Sequence, residues 1–542
     1  MYGDLEIDGE TYDLGNSIQN ANVHNINTSM DLTKLYKYVG LVKKKTARVT
    51  TSRPSPRDLP QDGGPVAEQA SAKKKSNTLL NAGIDLVTMV KRVQLNYQEN
   101  NGTYIPGYLQ TPGFFGTVEP TFGYTLGSQD DVRQIAASNG WLTLYEDYNE
   151  QYIETHNRQL DISANLEPVS DLKIDLLFNR LYSESLTENY VINEVDNNYE
   201  YESLTPYTYG NFNVSTIMIK SFGKSTASES KAFDDFKANR LTISRRLAER
   251  AGVDMTNPDN FEDGDINSYA LGFGKTNQAV LLPSFLSAYL GEDPGGVSLG
   301  AFRNVPLPNW DLKYTGFMKM AWFKKRFKRF SISHGYRSTY TINQFTSNLN
   351  YSNVDYSVDY LEQSDDVFNE SGDYKNKNLY SNINLTEMFS PLVRIDFEMN
   401  NSIKVLAELQ KDRLLSLSFD NNLMTEIVGN EYILGLGYRI KDVRMKSKLA
   451  GPNQTIVSDI NMKADVSFRD NQTIIRYLDL DNTQITSGQT IWALKYTADY
   501  TFSKNLSAIF YFDYSFSEYA ISTSYPQTTL STGLTLRYNF GN

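Results

Sequence analysis

The chain has 542 residues, 52 Lys and Arg against 64 Asp and Glu (a formal charge of −12), 37 Tyr, 27 Phe and no cysteine. That balance argues against a nucleic-acid partner, which calls for a basic field, and the missing cysteines exclude disulfides, zinc–thiolate centres and thiol nucleophiles. Mean hydropathy is −0.46 and no apolar run approaches the ~20 residues of a spanning helix, which disfavours a helical membrane protein but leaves a β-barrel open, because alternation hides its apolar face from a running average.

Five stretches follow in order. Residues 1–45 begin Met1-Tyr2-Gly3-Asp4-Leu5, without the basic start and apolar stretch of a secretory signal. Barrel strands have to be exported, so the expectation is the C-terminal part of a longer protein. The Asn-rich start gives way to Met30, Leu32, Leu35, Tyr36, Tyr38 and Val39, read as a strand ending at the basic edge Lys43-Lys44-Lys45. Residues 46–76 hold Pro54, Pro56, Pro60 and Pro65 and close on Lys73-Lys74-Lys75, the composition of a flexible loop.

Residues 77–224 read as barrel strands with irregular loops. Val90, Val93, Leu95 and Tyr97 lead to a Gly/Pro-rich run at 102–116, predicted to be a loop, and to a short helix over 128–140 with Ser128 as its cap and Val132, Ile135 and Ala136 on one face. Leu160, Ile162, Ala164 and Leu166 alternate with polar residues, as do Leu172, Ile174, Leu176 and Phe178 after a tight turn. Residues 211–219 form a further strand with Phe212, Val214 and Thr216 on one side.

Residues 225–300 break that rhythm. Phe233, Phe236, Ile243 and Leu247 have helical spacing within 231–251, and a second helix takes Pro283 in its first turn and Gly291 at its end. A helix cannot continue a barrel wall, so this partly helical insert is expected either in the lumen or beyond the rim. Arg240, Arg245, Arg246 and Arg250 read as a solvated face, or, in a lumen, as partners for Asp465 or Asp499.

Residues 301–542 return to strands, for a total of about fourteen. Trp310, Leu312 and Tyr314 precede a basic turn at Lys324-Lys325-Arg326, and Phe330, Ile332, His334, Tyr336, Tyr340 and Ile342 alternate with polar residues that include Arg337. Further strands are predicted at 403–419, 432–440 and 460–468, with Gly435, Gly437, Lys463 and Asp465 inward. The regular pattern of 487–540 sets the facing. Trp492, Leu494, Tyr496, Tyr500, Phe502, Phe510 and Phe512 are expected towards lipid; Lys495 and Asp499 join Arg337, Lys463 and Asp465 on the lumen side. The fold class is all-β, antiparallel transmembrane barrel strands with a helical insert, in the cell outer membrane.

Chemistry is sparse. His24, His156 and His334 are the only histidines, and His334 lies near Ser331, Ser333 and Ser338, which raises an outer-membrane esterase. Alternation turns Ser331 and Ser333 away from that histidine. Asp479, Asp481 and Asn482 lack the Gly and distal Glu of a calcium loop and read as an acidic loop. No cofactor, metal or enzymatic activity is expected. A self-contained porin or receptor barrel is the other competing reading.

Several separated motifs resemble, in order, the C-terminal part of the SprA/Sov family, the outer-membrane translocons of type IX secretion in Bacteroidota, a system tied to gliding motility. They are Met89-Val90-Lys91-Arg92-Val93, Pro106-Gly107-Tyr108, Gly127-Ser128-Gln129-Asp130-Asp131, Asn139-Gly140-Trp141-Leu142, Ser244-Arg245-Arg246-Leu247, Pro283-Ser284-Phe285-Leu286-Ser287-Ala288-Tyr289, Pro306-Leu307-Pro308-Asn309-Trp310, Tyr314-Thr315-Gly316 and Ser333-His334-Gly335-Tyr336-Arg337-Ser338-Thr339-Tyr340. The resemblance implies a very large barrel passing folded cargo proteins, completed by the remainder of the same barrel. It also implies lateral-gate and plug partner proteins.

Overall fold

The computed structural model describes residues 4–7, 10–41, 83–84, 87–111, 118–196, 198–223, 229–356, 358, 360–446, 455–478, 482–502, 505–521 and 524–540. The predicted loop at 46–76 and the acidic loop residues 479–481 lie outside them.

A small hairpin pairs β1 (Asp4–Ile7) with β2 (Glu10–Asp13). All other strands join one antiparallel sheet of fifteen. They are β3 (Asn16–Asp31), β4 (Val90–Tyr108), β5 (Tyr152–Val169), β6 (Leu172–Val195), β7 (Asn198–Ser215), β8 (Asn309–Tyr314), β9 (Phe327–Ser347), β10 (Asn378–Tyr380), β11 (Asn382–Met399), β12 (Ile403–Ser418), β13 (Leu423–Lys446), β14 (Thr455–Tyr477), β15 (Thr483–Thr501), β16 (Leu506–Tyr519) and β17 (Gln527–Tyr538). Neighbours in space are mostly neighbours in sequence. Among the described residues β3 and β17 end the sheet as open edges and do not pair with each other.

The two ends of the sheet differ. Two residues join β5 to β6 and three join β11 to β12 at one end, which also carries the connection 32–89; the connections 109–151 and 348–377 are at the other end, and 216–308 leaves part-way along the sheet. Local chemistry explains where several elements depart from the pattern-based expectation. The segment after Asp31 is helix α1 (Leu32–Tyr38), not strand: Leu32, Leu35 and Tyr36 have helical spacing, and the Asp31 carboxylate accepts the Thr33 N–H at 3.0 Å as an N-cap. Residues 102–108, predicted as loop, continue β4, whose ladder with β3 runs on to Tyr108.

A single turn, α2 (Phe122–Thr125), precedes α3 (Arg133–Ser138), which starts later than predicted. Ser128 does not cap α3; its hydroxyl donates to Asp130, while the Arg133 N–H goes to Asp131 Oδ1 at 3.1 Å. Val132 and Ala136 are buried, but Ile135 is exposed. Helix α4 (Lys231–Ala251) lies where the spacing put it, capped by Ser230. Helix α5 (Gln278–Leu290) ends at Gly291, which takes the left-handed φ of +67° that a side chain disfavours, but it begins at the Asn277 cap, so Pro283 lies in its second turn. The basic turn is helix α6 (Ala321–Arg326).

One column of the sheet is split. β6 pairs with β7 over 180–195 and with β8 over 172–177, and β9 meets β8 over 332–336 and β7 from Thr339 onward. β7 and β8 are therefore two parts of a single strand position, and the insert departs from the middle of it rather than from a rim. The break is stitched closed. Leu307 N–H donates to the Ser215 carbonyl at 2.9 Å, the Ser215 hydroxyl donates to the Leu307 carbonyl at 2.7 Å, and Asn309 Oδ1 accepts the Ser338 N–H at 2.8 Å.

Candidate functional site

The sheet has two chemically different faces. Register aligns Leu434, Val466, Leu494, Tyr514 and Leu530 in one row and Tyr432, Phe468, Trp492 and Phe516 in the next. Phe468 and Trp492 rings lie 4.5 Å apart, beside an apolar groove of about 570 Å³ that also touches Val393, Leu409 and Val466. Tyr496 and Phe512 are paired on this face, as are Ala498 and Phe510. Tyr500 belongs to the same face but is buried, its hydroxyl donating to the Val443 carbonyl at 3.4 Å, and Phe502 packs on it at the turn.

The opposite face is polar. Asp465, Lys495 and Asp513 form one row, Lys463 Nζ meets Asp465 at 2.6 Å, and Asn461 donates to Asp499 at 2.8 Å. A Cβ on Gly435 would come within 2.7 Å of Asp465 Oδ1, so glycine leaves that carboxylate its room. Arg469 reaches Glu431 at 3.3 Å and Asp412 at 3.5 Å. Arg337 is on this face too, paired with Asp311 and donating to the Trp310 carbonyl at 3.1 Å. The structure thus brings Arg337, Lys463, Asp465, Lys495 and Asp499 to one face and the seven aromatic and aliphatic candidates to the side of the other.

The apolar band stops at a row of Lys411, Asn430, Asp470 and Thr490. Beyond it, on the same face, lies the insert. The ladder between β13 and β14 runs unshifted from Leu423 to Ile440, so Met424 and Glu426 share a side with Tyr432 and Leu434. Phe233 and Phe236 of α4 and Leu281, Phe285 and Tyr289 of α5 bury Tyr340, Ile342, Leu385, Leu415, Leu417 and Met424. The insert therefore covers the face that bears the apolar band, opposite Asp465 and Asp499.

Its arginines do not meet those acids. Arg240 is buried and donates to the Lys275 carbonyl at 3.2 Å, Arg246 donates to the carbonyls of Pro294 at 2.6 Å and Val297 at 3.0 Å, and Arg245 lies over the Phe261 ring. Each ties α4 to the loops of the insert; only Arg250 is on the exposed side.

Two buried polar junctions fasten the insert to the sheet. In the first, the Tyr336 hydroxyl donates to Glu387 at 3.0 Å and accepts the Met218 N–H at 2.7 Å, while Arg413 donates to the other Glu387 oxygen at 2.9 Å and to the Ser221 hydroxyl at 2.7 Å. In the second, Arg476 (1% exposed) bonds Glu426 (0% exposed) at 3.0 Å under the Phe233 ring. The sequence named neither, because Glu387, Arg413, Glu426 and Arg476 each look like one more polar residue in a strand. Their signal was a charge at a position where alternation calls for an apolar residue.

His334 donates its Nδ1–H to the Leu392 carbonyl at 2.7 Å and lies beside Trp310 and Phe389. Ser331 and Ser333 are on the other face and Ser338 is buried near the split column. Asp373, in the connection 348–377, accepts the N–H of Gly274 in the insert at 2.5 Å, and burial pushes its carboxyl above the ordinary range; Glu262 of the insert is raised too, by burial and by the nearby Asp373 charge.

No helix among the described residues is long and apolar enough to cross a membrane, and none of their His, Asp and Glu side chains cluster as a metal site. No family model and no curated protein matches the chain. Among solved structures, the chain is similar to the ferric-catecholate import receptor Fiu of E. coli in its closed form, at 8% identity and a TM-score of 0.23, over 80% of this chain and 56% of that one, a likeness too low to carry a functional argument.

Proposed function

We propose that the chain is a section of the wall of a larger outer-membrane β-barrel, a channel that exports folded cargo proteins by type IX secretion. The observation that carries this is a fifteen-strand sheet with one apolar band, one polar face and two unpaired edges. Along β15 the band runs from Trp492 to Tyr500, nine residues and eight steps of ~3.4 Å, or ~27 Å of strand, which at a tilt of ~40° spans ~21 Å, most of the ~25 Å of a barrel's apolar belt. Open edges at membrane depth are untenable, so the remainder of the barrel has to supply the strands that pair with β3 and β17. More strands mean a wider lumen, in keeping with protein-sized cargo. The assignment to type IX secretion rests on the motif resemblance in the sequence alone.

In this reading the polar face lines the pore, the end with the β5–β6 and β11–β12 turns lies on the periplasmic side and the connections 109–151 and 348–377 on the outside. The insert then sits against the outer surface of the wall, above the lipid, instead of in the lumen. A cargo protein stalled during export should cross-link to a photoreactive residue at Lys495 and not to one at Leu494. Equal cross-linking at both, or export unaffected by loss of the chain, would reject the assignment. If residues 1–542 alone gave a heat-modifiable closed barrel, the porin or receptor reading would replace it.

A further inference from the structure

At the short-turn end of the sheet a second surface remains, which neither the pore nor the insert uses. The chain leaves β8, makes one tight turn and forms α6, whose Phe323 packs on Phe317, Phe327 and Phe330 with ring centroids 4.9 to 5.5 Å apart. Phe330 in turn stacks on Phe397. Phe330 and Phe397 share a face with Ile332 and Ile395, so this aromatic cluster is the lower margin of the apolar band. Here the margin turns outward. Trp322 and Met320 are each 53% exposed, and Arg326 lies over the Trp322 ring at 4.5 Å.

The charges within α6, which carries that exposed tryptophan, are all of one sign. Lys324, Lys325 and Arg326 follow it directly, all exposed, and among the described residues Lys324 and Lys325 form no ion pair. Neighbouring cations behave differently. Lys319 is held by Asp171, Lys328 by Glu398 at 3.1 Å and Arg329 by Asp396 at 3.0 Å. Evenly neutralised rim charge would have left all of these paired. The same end repeats the arrangement at α1, where Leu35, Tyr38 and Val39 are exposed next to Lys34 and Lys37.

From this arrangement we infer that α6, with Trp322 inserted and Lys324 and Lys325 above it, is a binding surface for anionic phospholipid headgroups in the leaflet at the short-turn end. An aromatic ring flanked by lysines suits the boundary where acyl chains meet phosphate: the ring takes the apolar side and the ammonium groups take the phosphate. Each lysine near an anionic surface is worth roughly a five-fold enrichment of that lipid at low salt. The inference rests on the membrane reading proposed above, and Trp492, in the middle of the apolar face, serves as the control that separates the two.

The test uses the complete barrel of which this chain forms part, with one tryptophan retained, either Trp322 or Trp492, and every other tryptophan, Trp141 and Trp310 among them, changed to Phe. Each variant is reconstituted into phosphatidylcholine vesicles containing a minor fraction of a lipid with brominated acyl chains, either phosphatidylglycerol or phosphatidylcholine. Trp492 should be quenched equally by both. Trp322 should be quenched several-fold more by brominated phosphatidylglycerol, and Lys324→Gln with Lys325→Gln, or high salt, should abolish the preference. If Trp492 is quenched but Trp322 shows no preference, or keeps it in the glutamine variant, or is shielded from both lipids as by an acidic protein partner, the headgroup surface is refuted. If Trp492 itself escapes quenching, the membrane reading fails, and this inference with it.

Discussion

Changing Arg476 to Ala should undock the insert without dismantling the sheet. The guanidinium is 1% exposed, bonds Glu426 at 3.0 and 3.3 Å, reaches the Thr483 hydroxyl at 3.4 Å and lies 5.7 Å from the centre of the Phe233 ring at the start of α4. Removing it takes the ion-pair partner from the Glu426 carboxylate at 0% exposure, and breaking a buried pair in this way costs about 3–5 kcal/mol. The cation–π contact with Phe233 adds up to about 2 kcal/mol, not independently of the ion pair. The double change Arg476→Met with Glu426→Leu removes both charges and keeps the volume, and should be near neutral or stabilising. Hydrogen exchange at the amides of α4 reads the docking directly: protection should fall by two to three orders of magnitude in Arg476→Ala, at roughly 1.4 kcal/mol per factor of ten, and return in the double variant. If the double variant exchanges as fast as Arg476→Ala, burial of charge is not what fastens the insert, and the geometric role of the arginine would have to replace it.

Other expectations are simpler to check. Leu494→Arg should destabilise the barrel by about 2–4 kcal/mol in a denaturant titration, while Thr497→Arg on the polar face should cost far less; equal costs would contradict the assignment of faces. Asp373, on the 348–377 connection packed against the insert, has a raised pKa in the folded protein, so it contributes stability below its unfolded pKa that is lost as the pH rises through the folded value. Asp373→Asn keeps an acceptor for the Gly274 N–H and should make the insert more resistant to proteolysis at neutral pH, with the advantage shrinking in acid. Excising 217–308 and joining Thr216 to Asn309 should leave β7 and β8 in register but expose Tyr340, Leu415, Leu417 and Met424, so the protein should assemble only in detergent and aggregate without it.

Facing was legible where period two is unbroken. Trp492 to Tyr500 alternate so regularly that the two faces follow from the residues alone, Leu506 to Phe516 follow them except at Ile509 and Tyr511, which sit on the polar face, and cross-strand register extends the faces to Tyr432, Val466 and Phe468. The helix at 231–251 was legible from Phe233, Phe236 and Ile243. What failed depended on residues distant in sequence. Asn309–Tyr314 reads as one more short strand, and nothing local to it says that it completes the column begun by β7. Arg240 and Arg246 look solvated on a helical wheel because their partners are main-chain carbonyls, which carry no signature in sequence. The start of α5 was missed because Pro283 is a familiar first-turn residue, while Asn277, whose side chain accepts the Ala279 N–H at 2.8 Å, holds the actual cap.

The split column has an evolutionary reading. Because Ser215 and Leu307 remain hydrogen-bonded neighbours, a ninety-residue excursion of the order of 216–306 leaves strand number, register and handedness of the wall untouched. A gene could gain, lose or exchange such a segment in one step, with selection acting only on whether the newcomer covers the apolar patch around Leu415 and Met424. Homologous walls are therefore expected to carry unrelated decorations at this one height, and comparison of their lengths between the equivalents of Ser215 and Asn309 would show where the ancestral strand was opened.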